Sequence, residues 1–396
     1  MNPPKPLTVF FFPAWYPHRG DPMFGLFVKR HAEAVSSVAR VGVVFAFGEV
    51  KSGPLFDLCH TEESGVSTLR IYYRKCRIPF LGTWVNAFLY LAAVFRGYRK
   101  LKIRLGTPDV NHIHVLTRAG VVPLWLKITH GTPFLITEHW SRYLPENRGD
   151  FSGFLRKWIT RRVVGQASFV TPVSEKLAAA MRSHGLRNPR YELVNNVVDT
   201  ERFIPGTHVH KECLRWVHVS CMDDRPKNLK GLLDGFARAH AADNRISLQL
   251  VGDGVDFNQI RHYAMEKDPH GKLFRFSGML EGEALLSAFQ HADAFVMFSR
   301  YENQPVVITE AFSCGLPVVA TGVGAIPDML SEGRGTTVPS EDVQALSDEV
   351  LLYAAGQVSF SREAIRQYAV DNFSYGAVAG RFRELYLATL QSAKTT

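Results

Sequence analysis

The chain has 396 residues, of which 46% are hydrophobic and 21% are charged. This composition is typical of a folded globular protein, and at about 100–200 residues per domain the length suggests two domains with a cleft. No apolar run reaches the roughly 18 residues of a membrane-spanning helix, and Pro13 and Pro17 interrupt the apolar start, unlike in a signal peptide. Five scattered cysteines without a C-x-x-C pair argue against a disulfide framework or a structural zinc site. We therefore expect a cytoplasmic protein.

The charge is unevenly distributed along the chain. Residues 1–175 carry 23 Lys and Arg against 11 Asp and Glu, a net charge of +12, whereas the remaining residues carry −3. Such asymmetry indicates that the first domain meets a polyanion or an anionic membrane. The alternative is a basic surface that only keeps the protein soluble.

In chain order, the first half alternates short apolar runs with helical patterns. Its predicted strands are residues 7–12, 41–47, 110–115, 134–137 and 168–173, and its predicted helices are residues 26–35 and 120–129. The second half repeats this, with strands at 216–220, 246–251, 273–276, 294–298 and 318–321 and helices at 229–242, 283–291 and 306–314. An amphipathic helix is predicted for residues 373–390. Strands that alternate with helices form parallel sheets, so we expect an α/β fold with two doubly wound domains.

One segment, residues 299–311, has the pattern of a ligand site. It follows the predicted strand 294–298, where an open parallel sheet binds ligands, and Pro305 suits the first turn of the next helix. The helix N-terminus would offer free amides and a positive dipole end to a diphosphate. Glu302 and Glu310, with seven residues between them, could accept hydrogen bonds from sugar hydroxyls. The alternative is a pair of surface glutamates that bracket a helix start.

This segment resembles the E-x7-E signature of retaining glycosyltransferases of family 4. Residues 194–199 resemble the family's link into the second domain, residues 251–254 resemble its glycine turn, and Lys227 matches its phosphate-binding lysine. Looser matches to the family lie in the first domain, at residues 109–114 and 137–139. The resemblance implies the GT-B fold, in which two Rossmann-like domains face a cleft. It implies an N-terminal domain at 1–195, a C-terminal nucleotide-sugar domain at 196–372 and a terminal helix at 373–396 that packs back on the first domain.

The resemblance also implies site residues. Glu302 would face the donor sugar, and Glu310 would bind the nucleotide ribose. Lys227 would neutralise the diphosphate, and His114 would hydrogen-bond the donor sugar from the opposite domain. The other donor-binding residues are Gly25, Gly252, Asn303, Gln304, Pro305 and Val306, and His139 is placed on the acceptor side.

The sequence departs from the family pattern at two places. Ser220 and Cys221 stand where many members have a Gly-Arg pair, so Arg225 or the helix amides would have to replace that arginine. Asn303 and Gln304 stand where the family usually has a glycine-containing loop.

The histidines bear on a possible metal site. His112 and His114 alternate along a predicted strand, so we expect them to point to opposite faces and not to chelate one metal together. We interpret His112 as structural and His114 and His139 as functional, because the latter two lie near strand ends. There is no D-x-D pair in a plausible context, and the resemblance implies that the reaction is independent of metal.

Two stretches combine aromatic and basic residues. Residues 84–95 are followed by Arg96, Arg99, Lys100, Lys102 and Arg104, and residues 154–159 are followed by Arg161 and Arg162. A helix that lies on an anionic bilayer has this composition. The alternative is a core-facing helix with a solvated basic end.

Together these features predict a retaining hexosyltransferase without a resident cofactor. It would use a UDP- or GDP-sugar, a lipid-linked or other membrane-associated glycan acceptor and an anionic membrane surface, and it would lie peripherally on the inner face of the cytoplasmic membrane. One alternative is a sugar-nucleotide 2-epimerase of the same fold, which would turn over without an acceptor. Another is a catalytically silent sugar-nucleotide or nucleic-acid binder. The net charge of −3 in the second half argues against nucleic acid.

Overall fold

The computed structural model of the protein describes residues 6–116, 118–147, 149–207 and 213–394. The chain divides into two compact units. Unit 1 is Met1–Val197 together with Tyr375–Thr396, and unit 2 is Val198–Ser374. The sequence placed these divisions at 195/196 and 372/373.

The strands of both units are short and mostly buried. Their bounds are β1 Thr8–Pro13, β2 Arg40–Glu49, β3 Phe56–Glu63, β4 Val66–Arg74, β5 Val110–His114, β6 Phe134–Glu138, β7 Val170–Pro172, β8 Leu214–Val219, β9 Ile246–Val251, β10 Phe274–Phe276, β11 Ala294–Met297, β12 Val318–Thr321 and β13 Gly335–Val338. Strands β1 to β7 form the sheet of unit 1, and strands β8 to β13 form the sheet of unit 2.

The helices cover the faces of these sheets. Their bounds are α1 Leu26–Ser36, α2 Leu81–Leu105, α3 Val121–His130, α4 Phe154–Gln166, α5 Glu175–Ser183, α6 Asp224–Lys227, α7 Leu229–Ala242, α8 Phe257–Lys267, α9 Gly282–Gln290, α10 Val306–Ser313, α11 Ile326–Leu330, α12 Val343–Ala354, α13 Arg362–Phe373 and α14 Tyr375–Lys394. Short 3-10 turns lie at Arg118–Gly120, Ser141–Tyr143 and Pro145–Asn147.

Unit 1 is a seven-stranded sheet in the order β3-β4-β2-β1-β5-β6-β7. All neighbours are parallel except β3 and β4, which are antiparallel. Strand β1 lies inside the sheet and buries both of its faces, so its sequence is a continuous apolar run. Phe11 packs in the same core as Phe382 of α14, whereas Phe10 and Phe12 pack with Leu89 of α2 on the other face.

Unit 2 is a six-stranded, all-parallel sheet in the order β10-β9-β8-β11-β12-β13. Its two faces are again covered by helices. Val217 of β8 packs with Phe312 of α10 on one face, and Trp216 packs with Phe236 of α7 on the other. Both sheets are therefore doubly wound, as the alternation in the sequence predicts.

In each sheet the chain winds outward in one direction and then returns to the centre. The reversal falls between β1 and β5 in unit 1 and between β8 and β11 in unit 2. Ligands of open α/β sheets bind beyond the carboxyl ends of the two strands at such a reversal. The loops that follow these four strands are therefore where a site is expected.

Within the described residues, no helix is long and apolar enough to cross a membrane. The longest helix, α2, has 25 residues. Its buried positions follow a helical period and pack on β2 and β4. The core-facing alternative for this stretch is thus correct for one face of α2.

Candidate active site

The loops that leave β8 and β11 meet at Lys227 and Glu302. The Nζ of Lys227 donates a hydrogen bond to the Oε1 of Glu302, and the two side chains are only 15% and 12% exposed. Ser299 donates a second hydrogen bond, of 3.0 Å, to the same carboxylate oxygen. The reversal point of unit 2 thus places the predicted phosphate-binding cation beside the predicted sugar-binding carboxylate.

The pair keeps Lys227 charged. Burial lowers the pKa of Lys227, but the charge of Glu302 and the hydrogen bond to it outweigh burial and leave that pKa above its ordinary value. Lys227 is therefore a fixed positive charge at the end of the sheet. Such a charge can neutralise a phosphate.

A second side chain, Arg300, ties the two loops together. Its guanidinium donates to the Oδ1 of Asn228 at 2.7 Å and to the carbonyls of Asp224 and Arg225, and its backbone N–H donates to the carbonyl of Pro226. These bonds fix the turn that carries Lys227. Arg225, which the sequence offered as a substitute for the family's arginine, is exposed.

The loop that carries Glu302 also requires a glycine from another strand end. Gly324 has φ +62°, and a Cβ there would lie 2.2 Å from the carbonyl oxygen of Glu302. The next residue, Ala325, donates its N–H to the carbonyl of Asn303 at 2.8 Å. Close backbone packing thus sets the position of the loop.

Helix α10 begins directly after this loop. Val306 is its first residue, as predicted, whereas Pro305, predicted for the first turn, is the extended residue directly before the helix. No side chain caps the helix, and the N–H of Ile308 donates to the carbonyl of Pro305 at 3.2 Å. The amides of Val306 and Val307 have no intrahelical acceptor, which is the arrangement that favours an anion. Glu310 is on the second turn and is 3% exposed, and Gln304 is also buried.

The two predicted glycines have local steric reasons. Gly252 ends β9 with φ +134°, and a Cβ there would lie 1.8 Å from the carbonyl oxygen of Ser220 at the end of β8. Gly25 has φ +68°, and a Cβ there would lie 2.4 Å from the backbone of Trp15. Gly252 lets the loops after β8 and β9 pack closely, and Gly25 lets the single loop after β1 fold back on its own start at Trp15. Their predicted contact with a phosphate stays a prediction.

In unit 1 the histidines form one buried cluster, and the predicted faces were wrong. The rings of His112 and His114 lie 4.1 Å apart, centroid to centroid. Residues two apart on a strand share a face, because successive side chains alternate. His112 bonds to the hydroxyls of Tyr386 and Thr137 at 2.6 and 2.7 Å, which agrees with its structural interpretation.

His114 and His139 are neighbours in this cluster. The Nδ1 of His139 donates to the amide oxygen of Asn196 at 3.1 Å, so in a neutral ring its Nε2 accepts from the Nδ1 of His114, 3.4 Å away. Burial holds the pKa of both histidines well below its ordinary value, which keeps them neutral. The Nε2 of His114 is then a buried acceptor with no hydrogen-bond partner among the described residues.

The carboxylate of Glu138 organises the backbone around these histidines. It accepts hydrogen bonds of 2.9 Å from the N–H groups of Leu116, His139 and Trp140. Val115, directly after His114, has φ +62°, which is unfavourable for a β-branched residue. The Leu116 bond to Glu138 helps to hold this strained turn.

The ring nitrogens of three histidines lie close enough for one metal ion. The candidate ligand atoms of His31, His114 and His139 are within 4.8 Å of one another. Both nitrogens of His31 already lie at hydrogen-bond distance from backbone carbonyls, 2.9 Å from Phe27 and 3.1 Å from Asn195. The independence of the reaction from metal therefore stays a prediction.

Two family models together match most of the chain. The model for the glycosyl transferase 4-like domain matches residues 27–196, and the model for glycosyl transferases group 1 matches residues 214–355. The chain belongs to the family 4 glycosyltransferases. The family, the fold class and the hexosyltransferase activity predicted from the sequence are confirmed.

Relatives of known activity agree with this assignment. The phosphatidyl-myo-inositol mannosyltransferase of Mycobacterium leprae is 27% identical over 79% of this chain and 82% of its own. The lipopolysaccharide 1,6-galactosyltransferase of Escherichia coli is 21% identical over 58% of this chain and 64% of its own. The solved structure of Anabaena Alr3699/HepE with UDP and glucose superposes with a TM-score of 0.67, at 16% identity, over 96% of this chain and 99% of its own.

Sequence reasoning missed three residues that shape the site, namely Arg300, Gly324 and Glu138. Gly324 carried a usable signal, because it follows the predicted strand 318–321 at a turn. Arg300 bonds to the loop after β8 and Glu138 bonds to Leu116 after β5, and no local sequence pattern reports partners in another strand-end loop.

Proposed function

We propose that the protein moves a hexose, with retention of anomeric configuration, from a UDP- or GDP-sugar to a hydroxyl of a lipid-linked or other membrane-associated glycan. The observation that carries the proposal is the pairing of Lys227 with Glu302 beside the start of α10. The M. leprae and E. coli relatives support the acceptor class, since one is a phosphatidylinositol mannosyltransferase and the other a lipopolysaccharide galactosyltransferase.

Unit 2 would bind the donor. The ammonium of Lys227 and the first amides of α10 would neutralise the diphosphate without a metal ion. Glu310 would accept from the ribose hydroxyls, and Glu302 would accept from a hydroxyl of the sugar. The complex of the Anabaena protein with UDP and glucose supports this class of donor.

The transfer would proceed on one face of the sugar. The bond from the anomeric carbon to the diphosphate oxygen breaks, and a bond from the same carbon to the acceptor oxygen forms. The acceptor proton passes to the departing phosphate oxygen, so no protein base is needed. Lys227 and the helix amides would stabilise the charge that develops on the diphosphate.

Nucleotide screening followed by a transfer assay tests this function. Thermal unfolding is measured with UDP-, GDP-, dTDP- and ADP-sugars, because a ligand of the native state raises apparent stability. The stabilising donor, labelled in its sugar, is then incubated with a membrane lipid extract. We expect label in the lipid-linked glycan fraction. Conversion of the donor sugar without any acceptor would instead establish the 2-epimerase.

Unit 1 would dock on an anionic bilayer at the cytoplasmic face. Large apolar side chains are exposed in two segments, residues 78–88 and 154–158, where Trp84, Phe88 and Phe154 are 68%, 70% and 86% exposed. Exposed Arg77 lies next to the first segment, and exposed Arg161 follows the second. Aromatic residues beside cations suit the interface of an anionic membrane.

A further inference from the structure

A cavity of about 590 Å³ lies at the reversal point of the unit 1 sheet. The ends of β1 and β2, the turns after β5 and β6, and helices α2 and α4 all contribute to its walls. Its volume falls in the range of about 300–1,000 Å³ that is usual for small-ligand sites. All its lining residues belong to unit 1, whereas the Lys227–Glu302 pair belongs to unit 2.

The charge of the cavity walls has one sign. Its lining residues include four cations and, in the described part of the chain, no aspartate or glutamate. The cations are Lys75, Arg118, Arg142 and Arg156. None of the four forms an ion pair with a described residue. Buried Glu138, which does not line the cavity, interacts with Arg142 and offsets part of its charge. Like charges that share a cavity still repel one another, and a bound anion would lower that cost.

Two of the arginines are held in place by aromatic rings. The guanidinium of Arg118 lies 4.4 Å from the ring centroid of Tyr90, and that of Arg142 lies 4.3 Å from that of Trp140. Arg142 is 3% exposed, and its Nε is buried without a hydrogen-bond partner among the described residues. A buried donor of this kind is costly unless a ligand accepts from it.

The cavity also offers a surface for a sugar ring. Trp15 and Trp140 both line it, and their rings lie 5.0 Å apart at 55°. Both are partly exposed. Aromatic faces pack against the apolar faces of other rings while polar groups at the edge stay hydrogen-bonded. Tryptophans beside guanidinium groups therefore suit a sugar that carries an anionic substituent.

We infer that this cavity is the acceptor subsite and that it binds a phosphate ester attached to a sugar or cyclitol ring. The inference rests on the proposed transferase function and names the chemistry of its acceptor. Planar guanidinium groups bind phosphate oxygens in pairs, which favours phosphate as the anion. The phosphate belongs either to a phosphorylated glycan or to a lipid headgroup.

Calorimetric titration distinguishes these sources. The probes are glucose 1-phosphate, water-soluble dibutanoyl phosphatidylinositol and, as the neutral control, methyl α-glucoside. At least one phosphate ester should bind, and the neutral glucoside should bind at least tenfold more weakly. Binding of glucose 1-phosphate assigns a glycan phosphate, and binding of the phosphatidylinositol alone assigns a lipid headgroup. If neither binds, or if the neutral glucoside binds equally well, the inference is wrong.

Matched variants locate the binding. Arg118→Gln and Arg156→Gln, singly and together, change exposed side chains of the cavity. They should weaken binding of the phosphate ester at least tenfold. Arg40→Gln makes the same change at the opposite end of β2 and should have no effect. Lys227→Ala should still bind the phosphate ester but should lose the binding of nucleoside diphosphate.

The reverse dependence, on Lys227 and not on Arg118, would place the ester in the donor site and overturn the inference. The same titrations test the proposed function separately. A wild-type protein that binds the ester but no nucleotide sugar would contradict the transferase function and leave the cavity as an anionic-sugar site.

Discussion

The ammonium of Lys227 and the carboxylate of Glu302 are hydrogen-bonded partners 75 positions apart in the sequence. The bond joins the loops after β8 and β11, the two strands at which unit 2 reverses its winding. A diphosphate that binds Lys227 competes with Glu302 for the positive charge of this ammonium, and the carboxylate repels it. The pair therefore couples phosphate binding to the position of the carboxylate assigned to the donor sugar.

This competition separates the effects of the two residues. Glu302→Gln removes the competing charge, and a bound diphosphate then takes the place of Glu302 in keeping Lys227 protonated against the effect of burial. Glu302→Gln should therefore bind nucleoside diphosphate at least as tightly as the wild type while turnover falls. Lys227→Ala should weaken nucleoside diphosphate and lower turnover at least tenfold, about 1.4 kcal/mol of transition-state stabilisation. Calorimetric affinities and steady-state rates check both. Weaker diphosphate binding by Glu302→Gln, equal to that of Lys227→Ala, would contradict the competition.

Glu310 should act on the nucleotide and not on the sugar. It is buried on the second turn of α10, directly behind the helix start that is assigned to the diphosphate. Glu310→Ala should weaken the bare nucleoside diphosphate about tenfold, the loss of roughly one charge-assisted hydrogen bond. Glu266→Ala, the same change at an exposed position of α8, is the control. Equal affinity of the wild type and Glu310→Ala would exclude the ribose assignment.

Turnover should survive a chelator if, as proposed, Lys227 and the α10 amides provide the charge neutralisation that a divalent ion performs elsewhere. The buried cluster of His31, His114 and His139 makes this a real test, since its nitrogens could span one ion. The measurement is the transfer rate after dialysis against EDTA, together with the metal content of the protein. Loss of activity that magnesium, manganese or zinc restores would refute metal independence.

The buried histidines should make the protein sensitive to acid. Burial lowers the pKa of His31 and of His218 to about 4. Burial also holds three further histidine pKa values well below the ordinary value, those of His112, His114 and His139. Above about pH 6.5 these rings are neutral in both folded and unfolded chains. As the pH falls from 6.5 toward 4, only the unfolded chain takes up protons, at a cost of about 1.4 kcal/mol per group and pH unit.

The apparent melting temperature should therefore fall by about 5 °C or more between pH 7 and pH 5, given a shift of roughly 2–4 °C per kcal/mol. Glu138 opposes this trend, because burial raises its pKa and protonation favours its folded form. His218→Gln should flatten the pH dependence, and His262→Gln, at an exposed position, should not. A melting temperature independent of pH over this range would contradict the neutral cluster.

The sequence predicted the strands and the helix that build the unit 2 site. Strands such as β8 and β11 are buried on both faces, so they read as continuous apolar runs, and α10 begins at a proline. The same argument does not identify a strand at the edge of a sheet. Strand β3 is mostly exposed and polar, so it has no apolar run, and the hairpin with β4 was missed. Its turn at Ser64 and Gly65, both with positive φ, carried the available signal.

Side-chain placement was predictable only where a local rule applied. Side chains alternate between the two faces of a strand, so residues two apart share a face. This rule would have placed His112 beside His114, and the prediction that they point to opposite faces applied it wrongly. Contacts such as Arg300 with Asn228, or Gly324 with Glu302, join different strand-end loops of the sheet. They depend on the packing of whole strands, which one sequence does not report.

Membrane docking should depend on the exposed aromatic residues of α2. Trp84 and Phe88 lie in the N-terminal half of the helix, whereas Met265, which is 58% exposed, lies in α8 of unit 2. Trp84→Ser with Phe88→Ser should strongly weaken sedimentation with phosphatidylglycerol vesicles. Met265→Ser, which also removes an exposed apolar side chain, should not.

The electrostatic part of docking should appear in its salt dependence. Exposed charges are screened over about 8–10 Å at physiological ionic strength, so high salt should release the protein and neutral vesicles should bind little of it. Replacing five basic residues of α2 by glutamine should weaken vesicle binding without unfolding the chain. The replaced residues are Arg96, Arg99, Lys100, Lys102 and Arg104. Circular dichroism and the nucleoside diphosphate affinity of unit 2 serve as the folding controls. Wild-type protein that ignores anionic vesicles at low salt would exclude the membrane surface as a partner and point to a soluble acceptor.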